Sequence, residues 1–443
     1  MTITVMTRNP KGLSPSKAPW SAGVPDGWTE RPLFAWLIER HRPNFDLGER
    51  LVLSLSFGRI VRRHVESNKG LLPESFGTYQ VVEPGDIVLR LTDLQNDHRS
   101  LRTGLVTEKG IVTSAYVALG PLAGVNPRFA HYLLHALDLR KVFYTLGGGL
   151  RQTMRFADLR RMPLAFPSED EQSTIVSLLD RETVRIDTLV AKNQRLIELL
   201  QEKRTALISH AVTKGLDSNV PMKESGVEWL GFIPAHWRSV PLKRLLRAPL
   251  QYGASEAGGN LDEDGPRFIR ITDIDSEGRL RDATACSISE EAARGFLLDA
   301  GDVLFARSGA TAGKTYLFDS HPERAAFAGY LIRACADRSQ ILPGFLRLFT
   351  QSQAYWEWVA QVTIQSTIQN VSAERYANLT VPVPPLEEQE TILGLLHRQL
   401  AELDSLTSVV RKAEDRLFEY RSALITAAVT GQIDVGAYCS EAS

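Results

Sequence analysis

Cysteine is scarce in this 443-residue chain: Cys286, Cys335 and Cys439 are the only three, and they lie far apart. No Cys/His pair has the spacing of a zinc site, so neither a disulfide framework nor a structural metal is expected and all three read as free thiols. No apolar run approaches the roughly 18 residues of a membrane span. Residues Met1 to Pro19 lack the apolar stretch of a signal peptide and read as a loose basic tail carrying Arg8, Lys11 and Lys17. These absences lead us to expect a cytoplasmic protein.

Excess charge of one sign is also missing, with 51 Lys and Arg against 52 Asp and Glu. The total hides a distribution. Residues 21–166 hold 19 basic against 14 acidic side chains, whereas residues 218–382 hold 17 against 19. The basic side chains of the first segment are nearly all arginine, which suits guanine edges and phosphates.

Catalytic signatures are absent as well. There is no Gly-x-Ser-x-Gly elbow and no His-Glu-x-x-His helix. The Gly147-Gly148-Gly149 run lacks the frame of a dinucleotide site, and the nine histidines form no cluster. The stretch Ser308-Gly309-Ala310-Thr311-Ala312-Gly313-Lys314-Thr315 comes nearest to a phosphate loop. It has three rather than four residues between its glycines, and Thr315 to Phe318 reads as a strand where a helix is required. A Gly-rich turn presenting Arg307, Ser308, Thr311 and Lys314 to a partner fits it better.

What the chain does have is a duplication. Residues 172–217, shifted by 217 positions without a gap, land on residues 389–434, and identical residues meet at Gln172, Thr174, Ile175, Leu178, Leu179, Arg181, Asp187, Leu189, Leu200, Glu202 and Arg204. Each copy reads as one long helix with seam spacing. The predicted seam runs through Ile175, Leu179, Ile186, Leu189, Leu196, Leu200 and Leu207 in the first copy. In the second it runs through Ile392, Leu396, Leu403, Leu406, Val410, Leu417 and Leu424. Neither helix satisfies such a stripe alone, so each is expected to bury its seam against the other. Roughly 40 residues at 1.5 Å rise make rods of about 60 Å. Both start after a proline, Pro167 or Pro384, with acidic first turns that suit the helix dipole.

The repeating unit is larger than the helix. Val24-Pro25-Asp26-Gly27-Trp28 has its partner in Ile233-Pro234-Ala235-His236-Trp237, and each leads into a globular segment of short strands. Gly85-Asp86 and Gly301-Asp302 are turns feeding buried strands, Phe268 to Thr272 reads as another strand, and 127–139 and 343–359 have helical spacing. Outside these anchors the two segments diverge, which suggests one scaffold with two related jobs.

Three stretches carry a resemblance to a known family. Residues 224–237, Glu-Ser-Gly-Val-Glu-Trp-Leu-Gly-Phe-Ile-Pro-Ala-His-Trp, look like the segment opening the second half of DNA-specificity subunits of type I restriction-modification systems. Val383-Pro384-Pro385-Leu386-Glu387-Glu388-Gln389 is similar to their second motif, and Gly301-Asp302-Val303-Leu304 with Arg307-Ser308-Gly309 and Gly313-Lys314 fits their target-recognition domains. The first copy departs from the pattern, with Phe166-Pro167-Ser168-Glu169 for the Pro-Pro-Leu entry and Asp26-Gly27 where the second copy has Ala235-His236.

The resemblance covers about residues 20 to 435. It implies an α+β fold: two globular α/β target-recognition domains separated by two long antiparallel coiled-coil helices in a pseudo-twofold repeat. The segments are then a tail (1–20), first domain (21–166), central helix (167–217), second domain (218–382), C-terminal helix (383–435) and tail (436–443). It further implies a non-catalytic chain that binds double-stranded DNA at a bipartite asymmetric site. Two methyltransferase subunits would dock on it and restriction (helicase-nuclease) subunits would join; S-adenosylmethionine, ATP and Mg would sit on those partners, with no cofactor on this chain. A coiled-coil scaffold whose end domains bind protein is the competing reading. Candidate DNA-contacting residues are Gln95, Asn96, His98, Arg99, Arg102, Arg151 and Gln152 in the first domain, and Tyr252, Ser255, Arg270, Ser308, Thr311 and Lys314 in the second. Trp28 and Trp237 are expected to anchor each domain to the rods.

Overall fold

The computed structural model describes residues 13–21, 23–63, 76–94, 97, 100–146, 153–256, 265–275, 278–319, 324–364 and 370–435. The chain divides into two compact units. The first comprises residues 1–193 with 412–443, and the second residues 194–411. Each unit therefore contains one globular domain, the start of one long helix and the end of the other.

In the first unit a four-stranded antiparallel sheet runs in the order Leu37–Glu39, Val117–Pro121, Ile87–Leu89, Thr103–Leu105. Its apolar residues are buried against the helix Pro127–Leu139. Asn126 opens that helix by accepting hydrogen bonds from the Arg128 and Phe129 N–H groups, and Pro127 occupies the first turn, where its missing N–H costs nothing. The second unit repeats this with Gln251–Tyr252, Leu331–Cys335, Asp302–Ala306 and Thr315–Phe318, covered by the helix Pro343–Phe349. The helical spacing read over 343–359 resolves into two helices, Pro343–Phe349 and Gln353–Ile364. The strand read over 268–272 is Arg267–Ile269, after which the chain tightens into a 3-10 turn at Ile271–Asp273.

Both Gly-Asp turns are built alike. Asp86 accepts from the Glu83 N–H at 2.9 Å, and Asp302 from the Asp299 N–H at 3.0 Å. Gly85 and Gly301 precede them at φ +93° and +101°, in the region that glycine tolerates without strain.

The long helices span Glu169–Lys214 and Leu386–Val429. In the first unit Ile175, Leu178 and Leu179 share a core with Leu424, Ile425, Ala428 and Val429, and in the second Ile208, Ala211 and Val212 share one with Ile392, Leu396 and Leu403. The start of each rod thus packs against the end of the other, which is antiparallel pairing.

The register of the seam differs from the sequence reading. Positions 186, 193, 200 and 207 face inward, but the alternate positions are Val190, Ile197 and Arg204, while Leu189 and Leu196 are exposed. In the second rod the inward alternates are Leu400, Thr407, Glu414 and Arg421, and Leu406 is 52% exposed. From Ile186 the steps are four then three, not three then four. Both choices satisfy a seven-residue apolar period; in the one adopted Val190 and Leu400 are buried, and Arg204 meets Asp404 at 2.7 Å and Arg421 meets Asp187 at 3.4 Å.

The stretch expected to be a loose tail is built in from Leu13. Leu13–Ser14 pairs with Val24–Pro25, the Ser16 hydroxyl donates to Glu30 at 2.5 Å, and Trp20 packs on the first core. Its polar and apolar partners together outweigh the entropy that basic residues alone would leave free.

Burial also makes the first unit sensitive to acid. On the helix Pro127–Leu139, burial, reinforced by the charges of His135 and Arg128, pushes His131 down to about 3 against a bonded contact with Thr103. Burial, with the Arg421 charge, takes His135 down to about 4. Both imidazoles stay neutral in the fold but protonate in the unfolded chain below the ordinary value of 6.5. Their stabilisation is therefore complete above that value and is lost as the pH falls toward 4 and 3. Burial also pushes Asp138 up to about 6, which works the other way: its protonated form is favoured in the fold, so acidification from pH 7 stabilises through this group. At about 1.4 kcal/mol per pH unit per group, the two histidines outweigh the aspartate and the first unit should lose about 2 kcal/mol between pH 7 and 5.5. Denaturation midpoints at the two pH values check this, and the His131→Leu/His135→Leu chain should show no such loss.

Candidate nucleic-acid interface

Each domain is fastened to the rods by the same two contacts. Gln172 accepts from the Asn126 N–H at 2.8 Å and donates to the carbonyls of Gly124 at 3.0 Å and Pro167 at 3.1 Å. Gln389, 217 positions on, accepts from the Leu342 N–H at 2.8 Å and donates to Gln340 and Pro384, each at 3.0 Å. Both glutamines are fully buried and bond only backbone atoms, so the clamp leaves neighbouring side chains free to differ.

The tryptophans are anchors. Trp28 donates its indole N–H to Glu171 at 3.1 Å and meets Phe129 edge to face; Trp237 donates to Glu388 at 3.1 Å and meets Phe345 edge to face. The far side of each is met by the end of the opposite rod. A Cβ on Gly431 would lie 2.2 Å from Pro25 and 3.3 Å from Trp28, and one on Gly215 would lie 3.4 Å from Trp237. The two glutamates were read from sequence only as partners of the helix dipole; their second role shows once the indoles are placed.

The face these junctions hold is clearest in the second unit. Arg307 follows the central strand Asp302–Ala306, and its guanidinium lies 4.9 Å from the centre of the Tyr252 ring on the edge strand. The Arg307 N–H donates to the Tyr330 carbonyl at 3.0 Å, and the Val371 N–H returns a bond to the Arg307 carbonyl at 2.8 Å. Tyr330 is 63% exposed and Tyr252 40%. Gly253 and Gly329 make the approach possible. A Cβ on Gly253 would lie 2.3 Å from the Phe327 carbonyl oxygen, and the Gly329 N–H donates to Ala254 at 2.7 Å. Ser308 adds a bridge to Asn370. A guanidinium lying over the Tyr252 ring, next to a turn that exposes Tyr330, offers donors to a base edge and aromatic surface for stacking or sugar contact.

Of the residues singled out from sequence, Tyr252 and Ser308 meet at this face, and Ser255 is exposed on the loop that follows Tyr252. Thr311 closes its own turn through the Ser308 carbonyl at 3.3 Å. Arg270 is a correction: its guanidinium grips Asp273 at 3.1 Å and the Thr284 carbonyl at 2.6 Å, and so ties down its own loop. Lys314 lines a cleft with Arg204 and Arg347. Arg307 was read in sequence as presented to a partner, and Tyr330 was missed. A tyrosine directly after a glycine between two apolar strands was the available signal.

In the first unit Arg102 is the principal correction. It is completely buried, donating to the Thr92 carbonyl at 2.8 Å, to the Asp93 carbonyl at 3.2 Å, to the Asp97 carbonyl and to the Tyr144 hydroxyl at 3.1 Å. Its own N–H is held by Asp138 at 2.5 Å. A guanidinium with all these donors engaged shapes the loop and has none to offer a base. Gln95, Asn96, His98, Arg99, Arg151 and Gln152 lie outside the described residues. Among the described residues no group of three His, Cys, Asp or Glu side chains could hold a metal ion, and no helix is long and apolar enough to cross a membrane. The Gly309–Thr311 segment is a 3-10 turn feeding the strand Thr315–Phe318, so no helix receives a phosphate there.

Comparison with known proteins points the same way. The family model described as the type I restriction modification DNA specificity domain matches residues 267–410. The specificity subunit of the type I restriction enzyme EcoBI from Escherichia coli is 24% identical over 61% of this chain and 58% of its own length. That of MjaVIII from Methanocaldococcus jannaschii is 22% identical over 74% of this chain and 75% of its own. The fold matches a chain from a solved structure addressing complex assembly and conformational transition of the type I R-M system. The TM-score is 0.68 at 16% identity, covering 93% of this chain and 99% of that one. Residues 267–410 thus match a type I restriction modification DNA specificity domain, and the duplicated clamps and α+β domains give the chain the fold of the type I R-M chain it superposes on.

Proposed function

We propose that the chain reads a bipartite, asymmetric DNA sequence, one half with each unit, and presents it to methyltransferase subunits that bring the chemistry. The duplicated junction carries this reading: Gln172 and Gln389, Trp28–Glu171 and Trp237–Glu388 repeat the same fastening, while the loops they hold share little sequence. Like fastening with unlike loops is what two readers of different half-sites need. Two methyltransferase subunits would dock along the rods, where Leu189, Leu196 and Leu406 leave apolar surface exposed. Restriction subunits, with their ATP and Mg, would join the same assembly, and S-adenosylmethionine would stay with the methyltransferase.

The test is to map methylated positions in a genome carrying this chain with its methyltransferase. A split motif with two unlike halves is the expected outcome; a continuous motif, or no sequence-selective methylation, would instead favour a protein-binding scaffold. Arg307→Ala should cut methylation about tenfold or more by weakening one position of the second half, in line with the roughly 1–3 kcal/mol of a bidentate base contact. Loss spread equally over both halves would show that Arg307 acts on the fold.

A further inference from the structure

The first unit carries an exposed aromatic side chain on a strained turn. Leu53–Ser56 and Arg59–Arg62 form a hairpin in which Ser56 pairs with Arg59, leaving Phe57 and Gly58 as the whole of the turn. Both have positive φ, +46° and +76°, an arrangement that favours asparagine, aspartate or glycine at the first position. Phe57 is none of these. Its side chain is also 81% exposed, so neither backbone geometry nor burial accounts for a phenylalanine there, and a strained outlier of this kind points to a task at the surface.

The hairpin is mounted firmly. Leu53 is buried with Val82, Val88 and Val112, Ile60 packs on the same cluster, and a Cβ on Gly104 would lie 2.6 Å from Leu55, so the hairpin rests on the bare backbone of the edge strand Thr103–Leu105. At the tip, a Cβ on Gly58 would lie 3.0 Å from Leu101 and 3.4 Å from His135, and Arg59 meets Asp187 of the first rod at 2.9 Å. Phe57 thus stands on the rod side of the domain. It also stands at the end of the sheet that carries Arg307 in the second unit. The strand Ile87–Leu89, like Asp302–Ala306, is fed by a Gly-Asp turn, and it runs out at Arg90, whose N–H donates at 2.8 Å to the carbonyl of Arg102, the residue after Leu101.

We infer that Phe57 is a wedge that enters the duplex on the rod side of the first half-site, unstacking one base step and bending the DNA there. The amount of apolar surface chooses DNA over a protein partner. One aromatic side chain between Ser56 and Arg59 offers about 150–250 Å², against the roughly 800 Å² per side of a stable protein interface. A single planar ring on a two-residue turn instead matches one opened base step. The 19 basic against 14 acidic side chains of residues 21–166 favour the approach of a phosphate backbone to this domain. Arg59, held by Asp187, positions the turn and is not a base contact. The wedge presupposes that the first unit reads a half-site.

The full chain and its methyltransferase are assembled on duplexes carrying 2-aminopurine at single positions across the first half-site and the spacer, away from the methylated bases. One step is expected to brighten about threefold on binding, as unstacking relieves quenching. Phe57→Ala and Phe57→Asn should abolish that signal and lower methylation about tenfold, whereas Phe57→Leu, which keeps an apolar wedge, should retain about half of it or more. Asparagine suits the turn, so the thermal midpoint of Phe57→Asn should equal or exceed that of the parent chain, which separates loss of the wedge from loss of the fold. Split-site methylation with no step whose fluorescence depends on Phe57 would overturn the wedge and leave the DNA reading standing, and absence of sequence-selective methylation would remove both. Weakened methyltransferase binding by Phe57→Asn without DNA would also overturn it, since the tip would then be a protein contact.

Discussion

Exchanging residues 13–166 for the matching segment of a divergent relative will change one half of the methylated sequence and leave the other half as it was. The boundaries follow from pairing: Leu13–Ser14 lies against Val24–Pro25, and Thr29–Pro32 against Pro163–Phe166, so cutting at these points keeps both strand pairs whole. The rod side of the junction tolerates the exchange because Gln172 touches only the Asn126 N–H and the Gly124 and Pro167 carbonyls, which any sequence supplies in the same backbone shape. Trp28 travels with the segment and must meet Glu171 again. Each altered base pair is worth about 1–3 kcal/mol, so three changes in one half lower methylation at the original sequence about a hundredfold or more. Methylation mapping of the exchanged chain decides the matter, and a change in both halves or in neither would refute the division of labour.

Removing one heptad from each rod, residues 190–196 and 412–418, will abolish methylation at the original spacing. Seven residues at 1.5 Å shorten a helix by about 10 Å, close to three base pairs at 3.4 Å each. A heptad keeps the four-three seam in phase, so Arg421–Asp187 in the first unit and Arg204–Asp404 in the second should survive. Half-sites three base pairs closer also turn by nearly a third of a DNA helix, so activity should either move to a shorter spacer or disappear. At least a hundredfold loss at the original site is expected in methyl-transfer assays with synthetic duplexes of graded spacing. Full activity at the original spacing would end the idea that the rods act as a ruler.

Much of the fold was legible because it was written twice. The 217-residue offset, the proline entries to the rods and the helix after Asn126-Pro127 are local patterns, set by spacing, capping and backbone freedom, and all appear where the sequence puts them. The repeat also exposed Gln389 and Trp237 as counterparts of Gln172 and of Trp28, although the hydrogen bonds they make depend on segments more than 40 residues away.

Tertiary structure decided what a single strand of text leaves degenerate. Leu189 and Leu196 keep the seven-residue period as well as Val190 and Ile197 do, and only the folded pairing, in which Val190 and Leu400 are buried and Arg204 and Arg421 meet Asp404 and Asp187, chooses between them. An arginine in a loop likewise reads as a ligand for DNA until its neighbours are known. Arg102 and Arg270 are taken up by carbonyls and a carboxylate of their own domains, whereas Arg307 is left over a tyrosine ring at the open face. The sequence by itself determined the duplicated plan, because periodicity and capping act over a few residues. Which charged side chains face outward was decided by the fold, because a guanidinium bonds whatever acceptors folding brings within about 3 Å of it.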